Sequence, residues 1–136
     1  MMVMVNQKIF MKSIIYTEKA PAPIGPYSQA VQTGNMLFVS GQIAIDPETN
    51  QLIEGTIGEE AGRVMQNLEA LLSSAGFSFG NVVKTTIFLS DMNHFAEVNE
   101  VYGSYFQTDF PARETVAVLG LPKNVNVEIS LIAVKA

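Results

Sequence analysis

The chain has 136 residues, of which 48% are hydrophobic and 15% are charged. This length favours one domain with a sizeable core. The charged fraction is below the roughly 25% of a typical soluble monomer, and this shortfall suggests that another subunit covers some apolar surface. The net charge is −5 and Lys and Arg form no cluster, which argues against nucleic acid as a partner.

The composition also excludes several kinds of site. The chain contains no cysteine, which rules out disulfides, a thiol nucleophile and zinc–thiolate centres. Its single histidine, His94, cannot build a His-rich metal site or an ordinary Ser-His-Asp arrangement within one chain. We interpret His94 as a solvated residue and assign it no role.

The first ten residues, MMVMVNQKIF, are apolar but have neither a basic region nor a small-residue cleavage site. They do not resemble a signal peptide, and no stretch approaches the ~20 apolar residues of a membrane span. We therefore expect a cytoplasmic protein with no membrane partner. We predict a flexible extension over residues 1–10, with Met11 as an alternative start, and a single domain over residues 11–136.

The first part of the chain predicts three strands. Residues 13–17 are rich in β-forming side chains, whereas residues 20–26 contain three prolines and cannot form regular structure. Residues 29–33 and 36–40 flank Gly34-Asn35, a two-residue loop that favours a tight β-hairpin.

The clearest helix signal follows a turn at residues 46–50. Thr56 and Glu59 match a capping box, in which both side chains satisfy free amides at a helix start. Gly76 is a natural stop at the other end. Between them, apolar residues recur at helical spacing: Ala61, Val64, Met65, Leu68, Leu71, Leu72 and Ala75.

The second half of the chain predicts three more strands and one helix. Residues 82–89 form an apolar, β-branched run, and Asp91 begins a second helix that ends before Pro111. Residues 115–119 and 125–134 predict the last two strands.

The predicted order is β-ββ-α-β-α-ββ, an α+β arrangement. Because each helix precedes a strand, right-handed crossovers would lay both helices on one face of a mixed six-stranded sheet. In the last strand Val127 and Ile129 point to one face, whereas Glu128, Ser130 and Ile132 point to the other. Apolar residues occur in both rows, so both faces look buried although two helices cover only one. A second subunit on the other face is the simplest solution.

Arg113 lies in the stretch FPARETV at the start of a predicted strand. The planar guanidinium binds a carboxylate through two parallel hydrogen bonds, and Pro111 restrains the backbone that aims it. The alternative is an ordinary surface or interface salt bridge, which is the commoner use of an arginine.

Glu128 lies inside the apolar strand VNVEISLIAV. Burial would raise the pKa of this carboxyl group, and a nearby arginine would lower it. At a cleft wall Glu128 could orient or deprotonate a water molecule, and the alternative is a rim residue without a role.

Three further polar residues are weaker candidates. Tyr27 ends the rigid loop IGPYS and either caps a pocket or is a partly buried core tyrosine. Ser40 precedes Gly41, where a glycine permits close backbone approach. Asn99 lies off the apolar stripe of the second helix, where its amide binds a ligand or, more commonly, the backbone.

Taken together, long stretches of the chain resemble the YjgF/YER057c/UK114 (RidA) family: IGPYSQAV, NMLFVSGQIAID, NLEALLSSAGFSFGNVVKTTIFLSDMNHFAEVNEVYGSYF, FPAR and LPKNVNVEISLIAV. The resemblance covers residues 11–134. It implies a chorismate-mutase-like α+β fold that assembles as a homotrimer. In that assembly three sheets form a central barrel, the helices lie outside, and ligand clefts lie between adjacent subunits.

The resemblance also implies an activity. RidA-type proteins hydrolyse the reactive imines 2-iminopropanoate and 2-iminobutanoate to 2-keto acids and ammonia, with no metal or organic cofactor. These imines arise when PLP enzymes eliminate water from serine or threonine. By this resemblance Arg113 would bind the substrate carboxylate, Glu128 would position water, and Tyr27 would line the pocket.

The remaining ligand positions of the family fall on Ser40, Asn99 and Thr115. Here the chain departs from the family pattern, because PAR is usually followed by Ser-Cys or Ser-Thr and not by Glu114-Thr115. Thr115 can form a hydrogen bond but cannot act as a thiol. Glu114 should point away from Thr115 in an extended segment, but an acid beside Arg113 could weaken anion binding.

Two other functions stay open as alternatives. One is a protein that binds 2-keto acids or similar small anions without catalysis. The other is the ribonuclease or translation-inhibitor activity ascribed to some relatives, which the acidic charge and the lack of a histidine pair or metal site disfavour.

Overall fold

The computed structural model describes the backbone of residues 2–5 and 8–136 and the side chains from residue 11 onward. In these ranges the strands and α-helices follow in the order β1 (Met2–Val5), β2 (Lys8–Ile15), β3 (Ala30–Thr33), β4 (Met36–Gln42), β5 (Ile45–Asp46), β6 (Gln51–Leu52), α1 (Ile57–Ser74), β7 (Val82–Leu89), α2 (Phe95–Gly103), β8 (Ala112–Ala117) and β9 (Val127–Val134). Short 3-10 turns precede β7, α2 and β9.

A mixed sheet forms the centre of the molecule, with strand order β1-β2-β3-β4-β9-β7-β8. Its neighbouring strands are antiparallel except for the parallel pair β7–β8. The six predicted strands and the mixed sheet are thereby confirmed, and β5 pairs with β6 in a separate small hairpin.

A seventh strand, β1, lies at the edge of the sheet and pairs with the first half of β2. The edge of β2 presents backbone N–H and C=O groups that can form hydrogen bonds with an adjacent extended segment, and β1 pairs with these groups. β1 falls within the predicted extension, whose flexibility stays a prediction, and residues 1, 6 and 7 lie outside the described residues.

Helix α1 begins and ends where its local sequence predicts. The Glu59 amide donates to Thr56 Oγ1 at 3.1 Å, and the Thr56 amide donates to Glu59 Oε1 at 3.3 Å, which completes the capping box. At the other end Gly76 has φ of +80°, and the Phe77 amide donates to the Leu72 carbonyl at 2.8 Å. This left-handed glycine ends the helix by a Schellman-type turn.

Both helices lie on one face of the sheet, as predicted. Asp91 caps the turn before α2 by accepting from the Asn93 amide at 2.8 Å. The helices are joined where Glu97 Oε2 of α2 accepts from the Gly58 amide of α1 at 2.6 Å. This contact places a carboxylate at the positive end of α1.

The two faces of the sheet differ in burial. On the helix side Val127, Ile129 and the neighbouring core residues are almost fully buried. On the other side, called the open face below, Phe38 is 39% exposed and Val116 is 47% exposed. The predicted alternation of β9 is confirmed, and the predicted subunit over the open face stays a prediction.

Strand β8 begins earlier than predicted. Parallel pairing with β7 extends it back to Ala112, so that Arg113 lies inside the strand opposite Thr85 and not at its entrance. The pairing partner is distant in sequence, which is why the local β-branched run indicated residues 115–119 only. None of the helices in the described part of the chain is long and apolar enough to cross a membrane.

Candidate active site

All the candidate side chains except Thr115 divide between two cavities that share no lining residue. The arginine cavity, about 490 Å³, is lined by Asn99, Tyr102, Gly103, Phe110, Pro111 and Arg113. The glutamate cavity, about 380 Å³, is lined by Pro21, Ala22, Ile24, Tyr27, Gln29, Ser40, Gly41, Gln42, Ile43, Ile45, Pro122 and Glu128.

Arg113 reaches the arginine cavity from β8 on the helix side of the sheet. Its partner in the parallel register is Thr85, which is buried on that side. The Arg113 Nη1 group donates to Asn99 Oδ1 of α2 at 2.8 Å. From the sequence, the Asn99 amide could bind either a ligand or the protein itself. In the structure it binds the Arg113 guanidinium.

Two aromatic rings flank the same guanidinium. Its Cζ atom lies 5.0 Å from the centre of the Tyr102 ring and 5.6 Å from that of Phe95. The Tyr102 hydroxyl lies 2.7 Å from Thr85 Oγ1. Burial raises the pKa of Tyr102, outweighing the lowering effects of the Thr85 hydrogen bond and the Arg113 charge, so the ring is a neutral phenol at physiological pH.

No carboxylate within the described residues neutralises Arg113. Their one salt bridge joins Lys84 Nζ to Glu114 Oε1 at 3.2 Å. Glu114 alternates with Arg113 along β8 and therefore lies on the open face. The acid that follows Arg113 in the sequence is thus held on the opposite side of the strand.

Thr115 lies two residues further along β8, on the same side as Arg113. Its Oγ1 atom is buried and has no hydrogen-bond partner among the described residues. Thr115 lines neither cavity. A buried hydroxyl without a partner is uncommon and costs free energy, so this atom has an unused capacity to bind a ligand or water molecule.

Glu128 lies on β9 and faces the glutamate cavity from the open face of the sheet. It is half-buried between mainly apolar walls, and burial raises the pKa of its carboxyl group. Its carboxyl group accepts no hydrogen bond from the described residues. This carboxyl group therefore holds a proton to a higher pH than an ordinary glutamate does, and its ionised form can accept a proton from water.

Gly41 makes room for this carboxyl group. A Cβ atom built at Gly41 would lie 2.8 Å from Glu128 Cδ and 2.9 Å from its Oε1 atom. The register between β4 and β9 shifts at this place. The glycine is therefore explained by the close approach of the Glu128 side chain to strand β4.

Tyr27 and Ser40 form another part of the glutamate cavity. Tyr27 is 51% exposed and therefore lies outside the core of its own chain, and its hydroxyl accepts from the Ile24 amide at 3.3 Å. The Ser40 hydroxyl donates to the Ser28 carbonyl at 2.6 Å, which leaves its oxygen free to accept from a ligand.

Gln29 supports this cavity and was missed in the sequence. Its side chain is buried, accepts from the Thr17 amide at 2.8 Å and donates to the Pro21 carbonyl at 2.9 Å. It thereby holds the proline-rich loop that forms one wall. In the sequence Gln29 is a polar residue next to the apolar start of β3. This pattern is too common to identify a role.

On one chain the two charged groups do not meet. Arg113 projects to the helix side of β8, whereas Glu128 projects to the open face of β9, with β7 between these strands. A single copy therefore presents the guanidinium and the carboxyl group in different places. His94, which was interpreted as solvated and was assigned no role, is solvated only in part, because it is half-buried and its Nδ1 atom is buried without a hydrogen-bond partner among the described residues. It lines neither cavity.

Three comparisons with known proteins are informative. A RutC family protein of Pyrococcus horikoshii is 51% identical over 92% of this chain and 99% of its own. The mouse (Mus musculus) protein named 2-iminobutanoate/2-iminopropanoate deaminase is 50% identical over 91% of this chain and 92% of its own. The crystal structure of E. coli TdcF with bound serine matches with a TM-score of 0.87 and 42% identity, covering 91% of this chain and 99% of that chain.

A family model described as Endoribonuclease L-PSP matches residues 17–135. That span includes both cavities and every candidate side chain. The chain therefore belongs to this family, the YjgF/YER057c/UK114 (RidA) family.

Proposed function

We propose that the protein hydrolyses reactive 2-imino acids, 2-iminobutanoate and 2-iminopropanoate, to 2-keto acids and ammonia. The observation that carries the proposal is the Arg113 guanidinium, which is aimed by Asn99 and has no carboxylate partner in the described structure. Such a group is suited to a small anionic substrate. The name of the mouse relative supports the choice of substrate. The proposal includes a cytoplasmic location, as expected from the sequence.

The proposed active unit is a homotrimer with sites between subunits. In it, the arginine cavity of one copy faces the glutamate cavity of the next. This arrangement would unite the two charged groups, which a single copy keeps on opposite faces of its sheet. It would also cover the apolar open face and explain the low content of charged residues.

In the proposed mechanism Arg113 and Asn99 hold the substrate carboxylate. Glu128 accepts a proton from a water molecule while the water oxygen bonds to C2 of the imine. Glu128 then returns this proton to nitrogen, which gives a carbinolamine with a hydroxyl and an amino group on C2. Glu128 next moves the hydroxyl proton to nitrogen as the C2–N bond breaks, so that ammonia leaves and the C2 carbonyl forms. Because the imine carbon is already electrophilic, positioning supplies much of the acceleration. Tyr27 and Ser40 would orient the imine, with no metal or organic cofactor.

Thr115 would take the place of the family's pocket cysteine. Its unpartnered hydroxyl can form a hydrogen bond to the substrate or to a bound water molecule. A threonine has no thiol chemistry, so the proposed reaction uses no covalent intermediate with the enzyme.

The decisive test is Arg113→Ala in an assay that generates the imine from threonine with a threonine dehydratase. Loss of the charge-assisted hydrogen bonds should lower kcat/KM on the order of 100-fold. Arg63→Ala is the matched control, because the chain has only these two arginines and Arg63 lies on α1, outside both cavities. Full activity of Arg113→Ala would refute the assigned role.

Non-catalytic binding of small carboxylates is the second candidate, and the bound serine in TdcF favours it. It predicts saturable binding of 2-oxobutanoate, measured by calorimetry, without acceleration of imine loss above buffer. Ribonuclease activity, named in the description of the family model, is disfavoured by the net charge of −5. RNA cleavage that survives rigorous purification and disappears in Glu128→Gln would revive it.

A further inference from the structure

We propose that Tyr102, anchored by Thr85, is the positioning residue for Arg113, and that its ring face sets the affinity for the substrate carboxylate. The inference rests on the proposed function in that it takes Arg113 to be the carboxylate-binding group. It assigns a role to Tyr102 and Thr85, to which neither the sequence analysis nor the proposed function gave one.

The first observation is a closed arrangement of three side chains. Thr85 on β7 is the register partner of Arg113 on β8, so the two residues lie side by side on the helix face of the sheet. The Thr85 hydroxyl bonds to the Tyr102 hydroxyl at 2.7 Å, and the Tyr102 ring centre lies 5.0 Å from the Arg113 Cζ atom. Thr85, the register partner of Arg113, thus binds the Tyr102 ring that lies against the Arg113 guanidinium.

The second observation is the difference in mobility that burial implies. Tyr102 is 4% exposed and is held at both its helix backbone and its hydroxyl, whereas Arg113 is an exposed side chain on an edge strand. A long exposed side chain loses conformational entropy when it is fixed upon binding. A rigid ring beneath the guanidinium removes part of that freedom before the ligand arrives.

The third observation concerns charge. A carboxylate partner would orient Arg113 but would also compete with the substrate carboxylate. An aromatic face attracts the guanidinium without neutralising it. Asn99 occupies one of the five N–H donors, so the others stay available for two parallel bonds to a ligand. The ring therefore orients the cation and preserves its full charge.

A nuclear magnetic resonance experiment tests the positioning directly. With 15N-labelled arginine the protein gives two Nε–H signals, from Arg113 and Arg63, and Arg63→Lys assigns them. Ring currents from Tyr102 should displace the Arg113 signal upfield in the wild type. The displacement should fall in Tyr102→Leu, while the Arg63 signal, from a side chain bonded to Asn67, should stay in place.

Binding and kinetics test the consequence. Tyr102→Leu should raise both the KM for 2-iminobutanoate and the Kd for 2-oxobutanoate roughly tenfold, the size expected for a lost cation–π contact, with kcat changed less than about twofold. Tyr105→Leu is the matched control, because Tyr105 lies on the turn after α2 within the cluster of Phe79 and Phe106 and outside both cavities. It should leave KM and Kd unchanged.

A ring-preserving variant separates positioning from folding. Thr85→Val combined with Tyr102→Phe removes both hydroxyls of the buried pair and leaves no unpaired donor. This double variant keeps the ring but loses its hydroxyl anchor, so KM should rise about threefold, clearly less than in Tyr102→Leu, and part of the Arg113 signal displacement should remain. An equal loss in the ring-preserving variant and in Tyr102→Leu would overturn the inference, as would wild-type KM and Kd in Tyr102→Leu.

The two proposals fail in distinguishable ways. If the wild type does not accelerate imine loss, the proposed reaction is wrong, and the Arg113 signal and the Kd for 2-oxobutanoate still decide the role of Tyr102. If the wild type is active and Arg113→Ala is not, but Tyr102→Leu matches the wild type in KM, Kd and Arg113 signal, the reaction stands and the positioning role is refuted.

Discussion

At the scale of single residues, burial and neighbours give the two charged groups different chemical states. No carboxylate among the described residues neutralises Arg113, whose neighbours are an amide and two aromatic rings. Glu128 has a raised pKa because it is half-buried and receives no hydrogen bond from the described residues. One group can therefore bind an anion, while the other can exchange a proton with water.

The raised pKa of Glu128 makes a prediction about pH. If ionised Glu128 accepts the proton from water, activity should fall as the pH drops through the folded-state pKa, which lies above the ordinary 4.5. The midpoint of the acid limb of kcat/KM should therefore lie above that value. Glu128→Gln should remove the limb together with most of the activity, and an acid limb that survives in Glu128→Gln would show that another group causes it.

The same shift predicts an effect on stability. Because the folded-state pKa is raised, folding favours the protonated carboxyl group, and stability falls as pH rises from the unfolded to the folded value. At pH 7, where the Glu128 carboxyl group is ionised in the unfolded chain, Glu128→Gln should raise the urea midpoint. The difference should shrink below pH 4, where the wild-type group is also neutral. A lower midpoint for the variant at pH 7 would contradict the assigned desolvation.

Gly41 gives a second residue-scale prediction. Gly41→Ala places a methyl group 2.8 Å from Glu128 Cδ and should displace that carboxyl group, lowering kcat at least tenfold in the imine assay. Gly62→Ala is the control, because nothing lies within 4 Å of its added Cβ atom and alanine favours the helix. It should retain activity and increase stability. Wild-type kcat in Gly41→Ala would contradict the close approach.

At the scale of elements, a carboxylate of α1 fixes the strand that carries Glu128. Glu60 accepts from the Asn126 amide at 2.8 Å, from the Asn126 side-chain amide at 2.9 Å and from the Val127 amide at 3.2 Å. These bonds satisfy backbone donors where β9 begins and tie it to the first turn of the helix. Helix α1 thus fixes the position of the chain at Asn126, two residues before Glu128 and immediately before β9.

Glu60→Ala should consequently destabilise the fold. Removing the acceptor of three hydrogen bonds should cost about 2 kcal/mol in the free energy of unfolding, measured by urea titration. Glu69→Ala, an exposed position on the same helix with no hydrogen bond in the described structure, should change it by less than about 0.5 kcal/mol. Equal free energies of unfolding for the two variants would show that the hydrogen bonds of Glu60 make no net contribution to stability.

At the scale of the whole molecule, the proposed trimer predicts complementation between inactive chains. Arg113→Ala and Glu128→Gln each destroy a different half of the site. In mixed trimers, some interfaces would combine the intact arginine of one copy with the intact glutamate of the next. Random mixing at equal amounts should restore about a quarter of the wild-type activity, since each interface needs one particular chain on each side.

The measurement is imine hydrolysis after the two variants are unfolded and refolded together. Each variant refolded alone is the control and should stay inactive. A site built within one chain would give no recovery on mixing. Light scattering on the wild type checks the assembly independently, and a monomer would refute the proposed arrangement of the two cavities.

The local features were predicted well, and the reason is visible in particular residues. Helix α1 follows from Thr56, Glu59 and Gly76, which act within one or two turns of the chain. The true start of β8 and the support of Arg113 by Tyr102 depend on the β7–β8 register. That register joins residues far apart in sequence, so no local pattern contains it.

The sequence by itself determined the family, the α+β class, the boundaries of α1 and the alternation of β9, because capping, helical spacing and strand alternation are short-range effects. The second helix is shorter than predicted, since the residues after Asp91 form a 3-10 turn and α2 ends at Gly103. Only the tertiary structure decided that Arg113 and Glu128 project from opposite faces of one sheet. It also separated Glu114 from Arg113 by pairing that acid with Lys84. The physical reason is that strand pairing selects which side chains share a face, and this choice is made by contacts across the fold.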